Sequence, residues 1–534
     1  MYDVGTRRTA GIRIIIRTFL VALITSIAVG AAAQAAKPGA QKPGRKTAAP
    51  VQLTAEVPAA SQTAAENAAV ENAPADGAIG PDELTRQLDS IVAPPRFRAE
   101  VGAFAIELPS GRILYEKNAD LPLAPASNMK LLTTAVALDT FGAEHKLQTR
   151  LVRKGDTLAL IGAGDPGFGD RKIALKYNRE ITAAYTAWAT ALEESGAAGE
   201  IRKLVVDDSI FDAQWRHPSW KEKDFQSWYA APVGGLMFND SCVDVSIEVE
   251  GGGTEPVLVP ECSLFEVVNR STVGRGRPIS IGRPLDNWQL IVSGACTKST
   301  APYCVTVPDP GMFAATVLYD ILKAHGCSFA APPQRKKVTD QGGNLPEGWQ
   351  PAGTAETDMA DILARCNTDS QNLFAEALMK LAGAKATGAP GSWEGGRIAA
   401  MQFLRKYDLP TEGIVIDDGS GLSRHNRVTA RLLATLLARM RGPSWQAFVS
   451  SLAEGGESGT LARRFRGPLK GKVFAKTGYI DRVSTLSGYI QCDDDTWIAF
   501  SFIYNNITST APAKQAQEKA CEILLKAVQG DGPA

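Results

Sequence analysis

The chain has 534 residues, 44% hydrophobic and 21% charged, and its 57 Lys+Arg balance 57 Asp+Glu to a formal net charge of +0. That is the composition of a globular protein long enough for several domains, with no global positive field to hold a nucleic acid. The only long apolar run, Phe19–Val29, is shorter than the ~20 residues that span a bilayer as a helix, which excludes a polytopic membrane protein.

Arg7, Arg8, Arg13 and Arg17 precede this run, and Ala33-Gln34-Ala35 follows it with the spacing of a cleavage site. The order predicts a secretory signal peptide over 1–35; an uncleaved anchor would export the rest of the chain equally. From 36 to 81 the sequence is rich in Ala, Pro, Gln, Thr and Glu and nearly free of large apolar residues, which predicts a disordered tether. Globular sequence begins near Asp82. Phe104–Leu108 and Arg112–Tyr115 around Pro109-Ser110-Gly111 predict a β-hairpin. The following run from Ser127 to Leu138, apolar on nearly all sides, predicts a helix buried inside its domain.

Between about 146 and 349 short strand-like pieces (157–161, 203–206, 243–247) alternate with Gly and Pro clusters, predicting a β-rich insertion. Helical periodicity returns over 359–366, 372–381, 396–405 and 430–440. Strands then follow from Gly471, with a hairpin at Asp493-Asp494-Asp495 and a closing amphipathic helix over 511–528. The organisation expected is one domain, 82–145 and 350–534, split by the insertion. All eight cysteines lie from Cys242 onward, in the part expected to be exported, where disulfides form. Sequence does not fix their pairing; the local candidates are Cys296 with Cys304 and Cys242 with Cys262, each across a short turn region. With no Cys-x-x-Cys and four histidines, neither a structural metal nor a cofactor is expected.

Three short motifs carry the chemistry: Ser127-Asn128-Met129-Lys130, Ser370-Gln371-Asn372 and Lys476-Thr477-Gly478. Lys130 lies one helical turn beyond Ser127 on the same face, so its amine reaches the hydroxyl. To act as a base near neutral pH the amine must be neutral. Burial among Met129, Leu131 and Leu132 and repulsion from a second cation, Lys476, both act in that direction. Ser127 at a helix N-terminus also meets the positive end of the helix dipole, which favours the negative charge of acyl transfer. Gly478 lets a ligand lie along the strand, and Lys476 with Thr477 suits a carboxylate. Ser370 precedes a helix and reads either as its N-cap or as part of a functional loop, the loop accounting better for Asn372 in a first turn. The polar stretch Asp417–Asn426 is a loop without an assigned role.

S-x-x-K, S-x-N and K-T-G in this order are the signature of serine β-lactamases and penicillin-binding proteins. Together with Gly164-Asp165-Pro166, Val206–Phe211, Trp220–Asp224, Trp228–Pro232, Asp418–Ser423 and Gly459-Thr460-Leu461, they make the chain resemble the low-molecular-mass class C penicillin-binding proteins. These form the D-alanyl-D-alanine carboxypeptidase/endopeptidase family, and the resemblance covers about 82–529. It implies an α/β (α+β) transpeptidase domain of the serine β-lactamase type, an antiparallel sheet flanked by helices, interrupted by the insertion. It further implies that Ser127 is the nucleophile, Lys130 its base, and Ser370 and Lys476 a proton relay to the leaving amine. Asn372 would hold the substrate amide, Lys476 and Thr477 the terminal carboxylate, and the N–H groups of Ser127 and Tyr479 the oxyanion. Asp224 and Tyr229, completed by Leu422 and Arg424, match a pocket for the diaminopimelate side chain, although Lys221-Glu222-Lys223 is more charged than that pattern.

The partners implied are peptidoglycan stem peptides and, as covalent inhibitors, β-lactams. Nucleic acid and a stable span in the mature chain are not expected, and the oligomeric state, a homo-oligomer included, is left open. The competing readings are a β-lactamase or esterase on the same fold, and a catalytically silent wall-binding scaffold.

Overall fold

The structure, a computed structural model, describes residues 80–94, 97–340 and 342–530. The expected signal peptide and nearly all of the expected tether lie outside the described residues.

A six-stranded antiparallel sheet organises the first and last parts of the chain. Its strands are β1 (Glu100–Leu108), β2 (Ile113–Lys117), β3 (Ala453–Glu454), β4 (Val473–Ile480), β5 (Val483–Gln491) and β6 (Trp497–Asn505), in the order β3-β4-β5-β6-β1-β2. The expected hairpin is β1–β2, with a register shift between Ala105 and Ile106. Segments far apart in the chain meet where β1 pairs with β6, Ala105 opposite Phe500. β5 and β6 are buried along nearly their whole length, because helices cover both faces.

On one face lie α1 (Pro81–Val92) and α7 (Thr510–Gln529), packed through Leu84, Leu88, Ala520 and Leu524 onto Phe500, Phe502 and Tyr504. On the other face lie α2 (Met129–Phe141), α3 (Met359–Asn367), α4 (Asn372–Thr387), α5 (Trp393–Lys406) and α6 (Ala430–Met440), around one apolar core. α2 is buried from Met129 through Leu138, as an all-round apolar run requires. α6 starts where predicted: the Thr429 hydroxyl accepts from Leu432 N.

Between α2 and α3 the chain builds three further sheets. A five-stranded one contains Lys146–Lys154, Thr157–Ile161 and Lys203–Asp207, and Gln350–Asp358 pairs antiparallel with Lys146–Lys154, so strands on both sides of position 349 share it. The region is not simply β-rich. Helices Ala183–Glu194 and Pro310–Ala324 pack in its core, with Tyr185, Trp188, Phe313 and Leu318 among their buried residues, while the short helix Arg171–Lys176 sends Ile173 into the main core. Pro310–Ala324 is buried on several sides and lacks the one-sided stripe that marks a surface helix, whereas Ala183–Glu194 buries a stripe of Tyr185, Trp188, Ala189 and Leu192.

All eight cysteines are free thiols. Neither local pairing forms. Instead Cys242 neighbours Cys304, because Cys242–Glu250 and Tyr303–Thr306 are adjacent antiparallel strands. Among the described residues no helix is long and apolar enough to cross a membrane.

Candidate active site

The site lies where α2, α4 and β4 converge. A 3-10 turn, Ala126–Asn128, leads into α2 and presents Ser127, partly exposed, at its mouth. Two bonds tie this turn to the sheet: Asn128 Nδ2 donates to Ser487 Oγ at 2.6 Å, and Thr485 Oγ1 donates to Pro125 O at 2.9 Å. The turn is tight, with Ala126 at φ +46°, and it needs two close glycines. A Cβ at Gly478 would sit 2.1 Å from Thr485 Oγ1 and 3.1 Å from Ser127 N, so only a bare Cα lets β4 run along the serine. A Cβ at Gly421 would sit 1.7 Å from Ala126 O. Ser127 caps nothing: no side-chain cap bond closes this turn.

Lys130 is fully buried, and its Nζ lies 3.1 Å from Ser127 Oγ, 2.7 Å from Asn372 Oδ1 and 2.8 Å from Ser420 O. An ammonium would donate to all three acceptors. A neutral amine donates two N–H bonds, to the two carbonyl oxygens that can only accept, and its lone pair is then left for the Ser127 hydroxyl. Burial pushes Lys130 down to about 8, against the nearby Glu376 and Asp418 carboxyls, which pull it back up. The expected repulsion between the two lysines is expressed at Lys476. Burial and the charge of Lys130 drive its ammonium well below the ordinary range.

Lys476, also fully buried on β4, donates to Ser370 Oγ at 2.9 Å and to Thr477 O at 2.8 Å. Ser370 is not the N-cap of α4. That position is Gln371, and Ser370 stands before it in the left-handed region at φ +64°, a conformation that sequence does not reveal. Asn372, the first residue of α4, faces inward, with its Nδ2 donating to Tyr229 O at 2.7 Å. Thr477 is partly exposed, and Tyr479 stands 65% exposed at the rim.

The predicted side pocket is only partly drawn together. Tyr229 Oη donates to Asp224 Oδ1 at 3.0 Å, and the Asn372 bond links this pair to the centre. Leu422 and Tyr229 pack against the main core. The exposed Arg424 instead bonds Asp481, at its backbone oxygen and, at 3.3 Å, its carboxylate, in the turn between β4 and β5.

Sequence reasoning missed the support beneath Lys130. Glu376 Oε2 accepts from Gly419 N at 2.9 Å and Trp393 Nε1 at 2.8 Å, and Oε1 accepts from Ser420 N at 2.8 Å. Asp418 accepts from Gly421 N, Ser423 N, Asn426 Nδ2 and Trp220 Nε1. Burial, reinforced by the charge of Asp418, raises the Glu376 carboxyl to about 7. A signal was present: Asn372, Glu376 and Lys380 recur every four residues on a helix whose other residues are apolar up to Ala384, which places three polar groups along one buried strip.

The arrangement provides a hydroxyl with an adjacent amine of lowered proton affinity and a second buried lysine-serine pair, as serine acyl transfer requires. The model of the D-Ala-D-Ala carboxypeptidase 3 (S13) family matches residues 84–527. The chain is 30% identical over 464 residues to a D-alanyl-D-alanine carboxypeptidase of Actinomadura sp. (strain R39), covering 80% of this chain and 82% of the relative. It is 21% identical over 431 residues to the D-alanyl-D-alanine carboxypeptidase DacB of Haemophilus influenzae, covering 77% and 86%. Its fold is that of the crystal structure of penicillin binding protein 4 from Haemophilus influenzae, at TM-score 0.67 and 19% identity, covering 82% of this chain and 99% of the other. The chain therefore belongs to the D-Ala-D-Ala carboxypeptidase 3 (S13) family, and it is a serine hydrolase of the D-Ala-D-Ala carboxypeptidase type.

Proposed function

We propose that the chain is an exported, periplasmic DD-peptidase whose nucleophile is Ser127. It removes terminal D-Ala from peptidoglycan stem peptides, cleaves D-Ala-to-diaminopimelate cross-links, and is acylated by β-lactams. The observation that carries the reading is the environment of Lys130. Two oxygens that can only accept, Asn372 Oδ1 and Ser420 O, fix its N–H bonds, and the third contact is Ser127 Oγ at 3.1 Å.

In the first step the neutral Lys130 amine takes the Ser127 proton as Oγ attacks the penultimate D-Ala carbonyl. The oxyanion is held by the N–H groups of Ser127 and Tyr479, where Gly478 brings β4 close to Ser127 N. The proton taken by Lys130 is passed to the leaving amine through Lys476 and Ser370, 2.9 Å apart. Lys476 and Thr477 hold the terminal carboxylate, and Asn372 holds the substrate amide. The leaving D-Ala departs, and water then attacks the ester at Ser127: Lys130 takes a proton from the water and gives it to Ser127 Oγ as the ester bond breaks. β-lactam acylation is supported by the related Haemophilus influenzae protein, solved in complex with a β-lactam. Asp224 and Tyr229 receive the side chain of the stem residue preceding the cleaved D-Ala pair.

The test is D-alanine release from a stem pentapeptide ending in D-Ala-D-Ala, and cleavage of a cross-linked dimer of such peptides. Release by the wild type and its loss in Ser127→Ala supports the reading. Equal release by both proteins overturns it.

A further inference from the structure

Asn372 and Glu376 stand one turn apart on α4, and each supplies one of the two acceptors of Lys130 other than the serine. Asn372 does so directly. Glu376 does so through the loop, because its carboxylate accepts the N–H groups of Gly419 and Ser420, at 2.9 and 2.8 Å, and the Ser420 carbonyl then faces Lys130 Nζ at 2.8 Å. Three donors converge on the two Glu376 oxygens: Gly419 N and Trp393 Nε1 on one, Ser420 N on the other. A carboxylate accepts all three, whereas a carboxamide must turn an NH2 toward at least one N–H.

The groups facing Glu376 come from every neighbouring element. Asp418 lies on the loop and Lys130 on α2, and both interact with it electrostatically. Trp393 lies on α5, Cys366 on α3 and Lys380 on α4 itself, and the last two also interact electrostatically with Glu376. Lys380 is engaged elsewhere: it donates to Asp212 Oδ1 at 2.8 Å and to Gln214 O at 2.7 Å, and its Nζ lies 4.1 Å from the centre of the Trp393 ring. Nothing in this arrangement requires Glu376 to touch substrate.

We propose that Glu376 is a positioning residue for acyl transfer: as a carboxylate it fixes the Ser420 carbonyl and thereby aims the lone pair of Lys130 at Ser127. The inference rests on the reading of Ser127 and Lys130 above. The ionised Glu376 also favours the charged form of Lys130, so the same group orients the base and sets the pH at which it becomes available.

The experiment is the second-order rate of acylation by benzylpenicillin from pH 5.5 to 10, in wild type and Glu376→Gln, with Glu376→Asp as the conservative variant. Glu376→Gln is expected to slow acylation by roughly 10²-fold at pH 8, the effect of a base misplaced by about an ångström. Its acid limb should move to lower pH by about one unit, because the anion that held the Lys130 proton is gone. Glu376→Asp should leave the limb in place. A variant that merely loosened the fold would lower the rate at every pH and leave the midpoint unmoved, and that result overturns the proposal, as does a wild-type rate in Glu376→Gln. If Glu376→Gln does not fold, the wild type decides. Acylation that needs both Glu376 ionised and Lys130 neutral must steepen below pH 7 toward a dependence on two protons, and a one-proton slope throughout overturns the proposal. Failure of the wild type itself to be acylated would instead overturn the reading of Ser127.

Discussion

Replacing Gly421 with Ala should disable the site from outside it. Gly421 is held at φ +81°, a conformation that costs an L-residue about 1–2 kcal/mol. Its new Cβ would stand 1.7 Å from Ala126 O and 2.4 Å from Ala126 C. An ordinary contact is about 3.4 Å, so one of the two backbones must retreat by roughly 1.7 Å. Neither moves freely. The loop is held by Asp418 and Glu376, and the turn by Thr485 and Asn128. Strain and overpacking together should cost about 3–5 kcal/mol, lowering Tm by several degrees. Because Ala126 precedes the nucleophile, acylation by a fluorescent penicillin should also fall by roughly 10²-fold. Gly388→Ala is the control. Gly388 ends α4 at φ +67° with nothing within 4 Å of its added Cβ, so it carries the backbone strain alone and should keep full acylation. If Gly421→Ala acylates as fast as Gly388→Ala, the close approach of loop and turn does not control the serine.

Acylation of the wild type should follow the neutral form of Lys130. With Lys130 at about 8 and Glu376 at about 7, the rate rises about tenfold from pH 7 to pH 8, about fivefold from the amine and about twofold from the carboxylate, and levels above pH 9, read by stopped-flow with benzylpenicillin. Loss of rate with rising pH over that range would contradict a lysine base. Asn128→Ala removes a fully buried donor from Ser487 while Ser487 keeps its bond to Ser501 at 2.8 Å, so stability should fall by only about 1–2 kcal/mol in a urea titration. Its acylation rate should nevertheless drop, because the bond joins the serine turn to β5.

Much of this site can be read from residue types at fixed spacing. Ser127 and Lys130 must share a helical face wherever they occur, and Lys130 is buried because the helix around it is apolar on all sides. The helices α2 and α6 and the strands β4 to β6 follow their periodicity closely. What was hidden depends on contacts between distant segments. Ser370 reads from sequence either as a helix cap or as part of a loop, and only its backbone, at φ +64° with Gln371 taking the cap position, decides for the loop. Glu376 looks like one polar residue in a buried helix, and only the fold brings the 418–420 loop across it. Arg424 binds Asp481 because the β4–β5 turn passes beside it, a neighbour that no motif records. Cys242 neighbours Cys304 through strand pairing and not across a local turn, and the inserted helix Pro310–Ala324 is masked by apolar residues on several sides.

The most direct test of the account is intact-mass analysis of the purified protein with and without benzylpenicillin, beside Ser127→Ala. The account predicts one covalent adduct of the mass of benzylpenicillin on the wild type and none on the variant. An adduct on Ser127→Ala, or none on the wild type at saturating antibiotic, would contradict Ser127 as the acylated nucleophile.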